Sequence, residues 1–151
     1  MASKDETVKV LNDLIRTSED GERGFKAAAE KAEDANLRSL FQDRAMTCHS
    51  AATELQSLVR ALGGKPVDSG SVAGAAHRGW VKARAAVGDN NVAVLEEVER
   101  GEDVAKAAYA KALDADLPPD VLQVVDEQYQ GVLRNHARVR DLRDQYRAAK
   151  H

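Results

Sequence analysis

The chain has 151 residues with a formal net charge of −3; 43% of them are hydrophobic, 31% charged and only 4% aromatic. That length suits one domain able to bury a core, the near-neutral charge excludes a basic nucleic-acid-binding surface as the main business, and no stretch approaches the roughly 20 apolar residues of a membrane span. The polar N-terminus lacks the apolar run of a secretory signal, and the single cysteine, Cys48, cannot form an intrachain disulfide, so the expectation is a soluble cytoplasmic protein.

In chain order, Ser3 to Glu6 has the spacing of a capping box, and a helical stripe follows at steps of three and four: Val8, Leu11, Ile15, Ser18, Glu22, Phe25, Ala29 and Ala32. Two of its members, Ser18 and Glu22, are polar, and a carboxylate on a core stripe needs a partner. The break Glu33–Asn36 predicts a tight antiparallel turn. A second stripe follows: Leu37, Phe41, Ala45, Cys48, Ala52, Leu55, Val59 and Leu62, with His49 at its edge. The run Leu62-Gly63-Gly64-Lys65-Pro66 ends that helix, because glycine accepts the left-handed cap and proline cannot continue the helix.

Residues 63–88 read as an exposed crossover that contains a shorter helix over 71–87, with Ser71 as its cap, Trp80 pinning it to the bundle, and His77 and Arg78 in solvent. A third helix runs from about residue 90 to Asp114 with Leu95, Val98, Glu102, Ala105, Tyr109 and Ala112 on its stripe. Leu117-Pro118-Pro119 breaks the chain and places a proline in the first turn of a fourth helix. The stripe of that helix reads Leu122, Val125, Tyr129, Val132, His136, Val139, Arg143 and Tyr146. The prediction is an all-α, ferritin-like antiparallel four-helix bundle in a single domain, 1–151. It consists of a hairpin over 4–62, the crossover 63–88 with its extra helix, and a second hairpin over 90–148.

The two hairpins open with one phrase. EDGERGFKAAAEKA at 19–32 recurs as ERGEDVAKAAYAKA at 99–112, so that Glu19/Glu99, Gly21/Gly101, Glu22/Glu102 and Lys26/Lys106 coincide at a constant offset of 80. Each helix thereby supplies one carboxylate or imidazole near mid-length: Glu22, His49, Glu102 and His136. These four are the candidate metal ligands, with Glu19 and Glu99 as additional oxygen donors. Such groups suit iron, manganese or zinc. A full dinuclear site of the bundle type needs a glutamate three residues before each histidine, and Met46 and Leu133 stand there instead, so the expectation is a single ion. The competing expectation has no ion: Glu22 with His49 and Glu102 with His136 satisfy each other as a polar layer. Cys48, Tyr109 and Tyr129 read as core, Arg134 to Lys150 as a solvated charged face, and His151 is uninformative. No nucleophile–base arrangement, phosphate loop or CxxC pair is present, so no catalytic residues are assigned.

The strings LNDLIRTSEDGERGFKAAAE, LGGKPVDSGSVAGAAHRGW and EVERGEDVAKAAYAKAL, with the LPP turn, resemble a bacterial family of ferritin-like four-helix-bundle proteins of unknown function, over about residues 7–145. The resemblance implies a ferritin-like fold, a bacterial cytoplasmic setting, a role in stress or stationary phase, and no established enzymatic activity. The expected function is therefore a non-enzymatic, stress-associated bundle. It acts by self-association, as a dimer, or through a protein partner, without nucleic acid or membrane. The alternative is a divergent ferritin-like metal protein with oxidase activity.

Overall fold

The computed structural model describes residues 1–67 and 90–149. The predicted crossover helix with Ser71, His77 and Trp80, and the terminal His151, lie outside the described residues. Among the described residues, four helices form the bundle: α1 (Lys4–Lys31), α2 (Ala35–Ala61), α3 (Asn90–Leu113) and α4 (Pro119–Ala149). Among the described residues, no helix is long and apolar enough to cross a membrane.

Each boundary has a local cause. Ser3 Oγ accepts the Glu6 N–H at 3.1 Å and starts α1. Asp34 starts α2 by accepting from the Asn36 and Leu37 N–H groups at 2.7 and 3.3 Å. The turn between them is held from outside, because Asn91 Oδ1 in the first turn of α3 accepts the N–H groups of both Glu33 and Asp34 at 3.1 Å. Tyr146, near the end of α4, donates its hydroxyl to Asp34 Oδ2 at 2.7 Å. Elements from both hairpins therefore meet on one three-residue turn.

At the other end, α2 stops at Gly63, whose φ of 80° lies in the left-handed region that a side chain disfavours. Gly64 is required for space: a Cβ there would lie 2.8 Å from both methyls of Val8 and 3.1 Å from Val59. The next break falls before α4. Asp116 takes φ 55°, and Pro119 occupies the first helical position, where its missing N–H costs nothing. Asp116 also pairs with the N-terminal ammonium at 2.8 Å.

The core falls into two separate apolar blocks. One contains Phe25, Leu37, Phe41, Val94, Leu95 and Val139, with the two phenylalanine rings 6.1 Å apart. The other contains Leu11, Leu14, Ile15, Leu55, Val59, Tyr109, Val121 and Val125. The stripes of α1, α2 and α3 point inward as their periodicity predicts. The predicted stripe of α4 holds at Val125 and Val139, both fully buried, and departs at two places: Val121 and Asn135 are buried, while Leu122 is 39% exposed. Apolar residues sit at both 121 and 122, so the periodicity of α4 fits two overlapping stripes that share Val125, Val132 and Val139. Packing against α3 selects the one that buries Asn135 instead of His136.

Gly64→Ala is expected to destabilise the fold by about 1–3 kcal/mol, since two branched side chains must move. Gly131→Ala, whose added Cβ meets only the flexible end of Arg134 at 3.7 Å, is expected to be neutral or stabilising by up to about 1 kcal/mol through helix propensity. Urea midpoints of the two variants check this pair.

Candidate functional site

Between the two apolar blocks the bundle has a hollow that opens to solvent, with exposed Arg16, Thr47, Val104 and Arg134 on its rim. A cavity of about 720 Å³ is lined by all four helices at mid-length. Its volume follows from the residues placed there. Gly21 and Gly24 on α1, Cys48 and Ala51 on α2, Gly101 and Ala105 on α3, and Gly131 on α4 all line it. Glycine inside a helix costs about 1 kcal/mol relative to alanine, so helix-interior glycines call for a packing reason. At Gly21 the reason is close approach, because a Cβ would sit 3.0 Å from Cys48 Sγ. At Gly24 nothing lies within 4 Å of such a Cβ: that glycine faces empty space.

One wall of the hollow is a hydrogen-bonded chain that crosses all four helices. Gln128 of α4 donates to Glu54 Oε1 of α2 at 2.8 Å and to the Ala51 carbonyl at 3.3 Å. Tyr109 of α3 donates to Gln128 Oε1 at 2.7 Å. With the tyrosine proton used there, Ser18 of α1 donates to the Tyr109 oxygen at 3.1 Å. Burial pushes the Tyr109 hydroxyl up to about 12, and the Ser18 contact only partly offsets this. The helix pairs in close backbone contact are α1–α2, α3–α4 and α1–α3, so Gln128 is one of the side chains that join α2 to α4.

Two turns before Tyr109, on the same face of α3, stands Glu102, which is 5% exposed. Its Oε2 accepts from Asn135 Nδ2 in a short contact, and its Oε1 is buried without a hydrogen-bond partner. Burial pushes the carboxyl up to about 7, against the opposing effects of the Asn135 hydrogen bond and of the nearby Arg44 and His136 charges. Arg44 of α2 also lines the hollow; its guanidinium lies 5.9 Å from the centre of the Phe25 ring and its Nε is likewise buried without a partner. Burial raises the adjacent Cys48 thiol to about 11, so it stays protonated and packs as a small core residue.

The four candidate ligands stand as two groups. His49 Nδ1–H donates to Glu22 Oε1 at 3.1 Å, with Lys26 on the other oxygen at 2.8 Å. Burial opposes ionisation of Glu22, but the hydrogen bonds from Lys26 and His49 outweigh it and hold its carboxyl below the usual range. The His49 side chain is 67% exposed. The second expected pair is not made: Glu102 takes Asn135, and His136 donates to Asp103 on the outer face of α3. The α4 phase decides this, since it turns residue 135 inward and residue 136 toward the edge. Glu99 is held by Arg143, and Glu19 is half-buried on α1. Among the described residues, no three His, Cys, Asp or Glu side chains come together as a metal-holding group. In this arrangement Glu22, His49, Glu102 and His136 do not form one ligand set. Gln128, Asn135 and Arg44 were missed by sequence reasoning; the helix-interior glycines beside Glu22 and Glu102 were the available signal.

The family model for a domain of unknown function, DUF2383, matches residues 6–115. The chain belongs to that family. The matched residues span α1 to α3 but not α4, so Gln128 and Asn135 lie beyond the part this DUF2383 chain shares with the model. No curated protein matches the chain. Among solved structures, a mutant of Dps1 from Mycobacterium smegmatis is similar to it, at 13% identity and a TM-score of 0.76, over 93% of this chain and 98% of that one. The likeness shows the ferritin-like four-helix fold.

A buried carboxyl with a raised pKa makes stability depend on pH in a defined direction. Between about 4.5 and 7 the folded protein keeps a proton on Glu102 that the unfolded chain releases. Stability is therefore lost as pH rises through that window, by up to about 3 kcal/mol. Glu102→Gln is expected to flatten this slope, measured by urea unfolding at a series of pH values.

Proposed function

We propose that this DUF2383 protein is a non-enzymatic binding bundle, and that its ligand is received in the hollow at mid-length. The observation that carries the reading is a cavity of about 720 Å³ kept open by a helix-interior glycine that packs against nothing. Sites of this volume, between the helices of a bundle, suit small organic molecules. Stress association and pairing with a second copy or a protein partner are the setting expected for such a module; Met46, 70% exposed on α2, is an apolar side chain that a partner can cover.

The test uses naphthalene as an apolar probe. Its fluorescence and the backbone amide shifts of residues around Gly24 are expected to report binding. Gly24→Leu, which fills the hollow from a position with room for a Cβ, is expected to keep the fold and reduce binding by at least about 10-fold. Equal binding by this variant would sink the reading.

A second reading, a divergent metal protein, is favoured by the Glu22–His49 contact, which brings a carboxylate and an imidazole within reach of one ion at the bundle surface. Protein purified without chelator is then expected to hold iron, manganese or zinc, and His49→Ala to lose it. Metal-free protein that takes up no ferrous iron at micromolar concentration removes this reading.

A further inference from the structure

Charge is distributed unevenly around the hollow. Four arginines border it: Arg16, Arg44, Arg134 and Arg138. Arg16 of α1 is paired with Asp13 at 3.1 Å. Arg44 of α2 and Arg134 and Arg138 of α4 form no ion pair among the described residues. The carboxyl groups at the same space do not balance them. Asp13 is taken by Arg16, Asp20 has a partner of its own, and Glu102 keeps its proton below about pH 7 because it is buried. That leaves Glu127 on α4 against the unpaired guanidinium groups.

Geometry brings the positive groups to the opening. Arg134 and Arg138 are exposed on the α4 rim, one turn apart on one face of the helix. The atom nearest to the place a Cβ would take at Gly131 is a terminal nitrogen of Arg134, 3.7 Å away. That guanidinium therefore lies back over a glycine which itself lines the hollow. Arg44 adds a third positive charge from α2, but its Nε is shut away inside the protein, so it acts on the space through its field and not through that atom. Inward of the rim the walls are apolar: Phe25, Val98, Ala105 and Val132. A cation entering here meets like charges, and a neutral molecule leaves the arginines to water. A carboxylate suits them best, because its two oxygens accept parallel N–H bonds from a guanidinium fork.

We infer that the mid-bundle hollow binds an amphipathic organic anion, with an apolar body of roughly 10–20 heavy atoms between the helices and a single carboxylate head at the α4 rim against Arg134 and Arg138. This rests on the reading of the hollow as a receiving site. It goes further by naming the class of ligand and the two residues that select it.

The experiment compares three probes of similar shape on the full chain by calorimetry, at about pH 6 where Glu102 is protonated: naphthalene, naphthylacetate and naphthylmethylamine. Naphthylacetate is expected to bind at least about 5-fold tighter than naphthalene, a gain in the range of charge-assisted hydrogen bonds at a partly exposed site. The amine is expected to bind more weakly than naphthalene. The double variant Arg134→Gln with Arg138→Gln changes two exposed side chains. It is expected to lose most of the gain and to bind naphthalene within about 2-fold of the parent. Arg140→Gln removes an exposed charge from the same helix away from the hollow and is expected to keep the gain, which separates a local site from the effect of net charge. The inference is overturned if naphthylacetate gains nothing over naphthalene, if the amine binds as tightly as naphthylacetate, if the double variant keeps the full gain, or if Arg140→Gln loses as much as the double variant. In each of these cases naphthalene binding still supports the hollow as a receiving site. If none of the three probes binds, that reading fails together with the inference.

Discussion

Everything distinctive in this bundle depends on small residues placed at mid-length on all four helices. Four amphipathic helices of 24–31 residues ordinarily close on a continuous core, because each buried Leu, Val or Phe contributes about 1.5–3 kcal/mol. Here the large side chains thin out toward the middle, where Phe25, Val98, Tyr109 and Val132 wall the space. Glycine, alanine, serine and cysteine are interspersed among them, so the two apolar blocks carry most of the burial and the space between them stays open. The blocks are anchored at opposite ends: one at the Asp34 turn through Asn91 and Tyr146, the other by the close approach of Gly64 to Val8 and Val59. A bundle fastened at both ends tolerates a hollow centre.

The polar groups at that level divide by burial. Glu22 keeps its charge because Lys26 and His49 surround it at the surface. Glu102, its counterpart in the repeated phrase, is buried and has one uncharged amide for a partner, so burial wins and its carboxyl holds a proton to about pH 7. The same residue type, one repeat apart, is thus a solvated ion in one hairpin and a nearly neutral acid in the other. The polar chain from Ser18 to Glu54 adds a second kind of order. It passes through each helix once and ties α2 to α4, a pair outside the close backbone packing of the bundle.

Much of this was legible in the sequence. The stripes of α1, α2 and α3, the capped start at Ser3, the stop at Gly63–Gly64 and the LPP turn each follow from local rules of helix periodicity and backbone freedom. The repeated Gly-Glu unit marked the level at which the bundle departs from ordinary packing. The hollow itself was not legible. A glycine in a helix reads the same whether it admits a neighbour, as Gly21 admits Cys48, or faces open space, as Gly24 does.

The sequence by itself determined the class of fold, the four helices with three of their inner faces and the Val125–Val139 line of the fourth, and the presence of acidic and imidazole groups at one level. Those features arise within single helices, where spacing alone sets geometry. Only the tertiary structure decided the finer phase of α4, which of residues 135 and 136 turns inward, and with it the partners of the mid-level groups. Its apolar positions allow two overlapping stripes, and the choice between them is made by packing against α3. A small turn of the helix, with Val125 and Val139 still in the core, put Asn135 against Glu102 and sent His136 to Asp103. Pairing across helices depends on that rotation, and the sequence of one helix does not contain it.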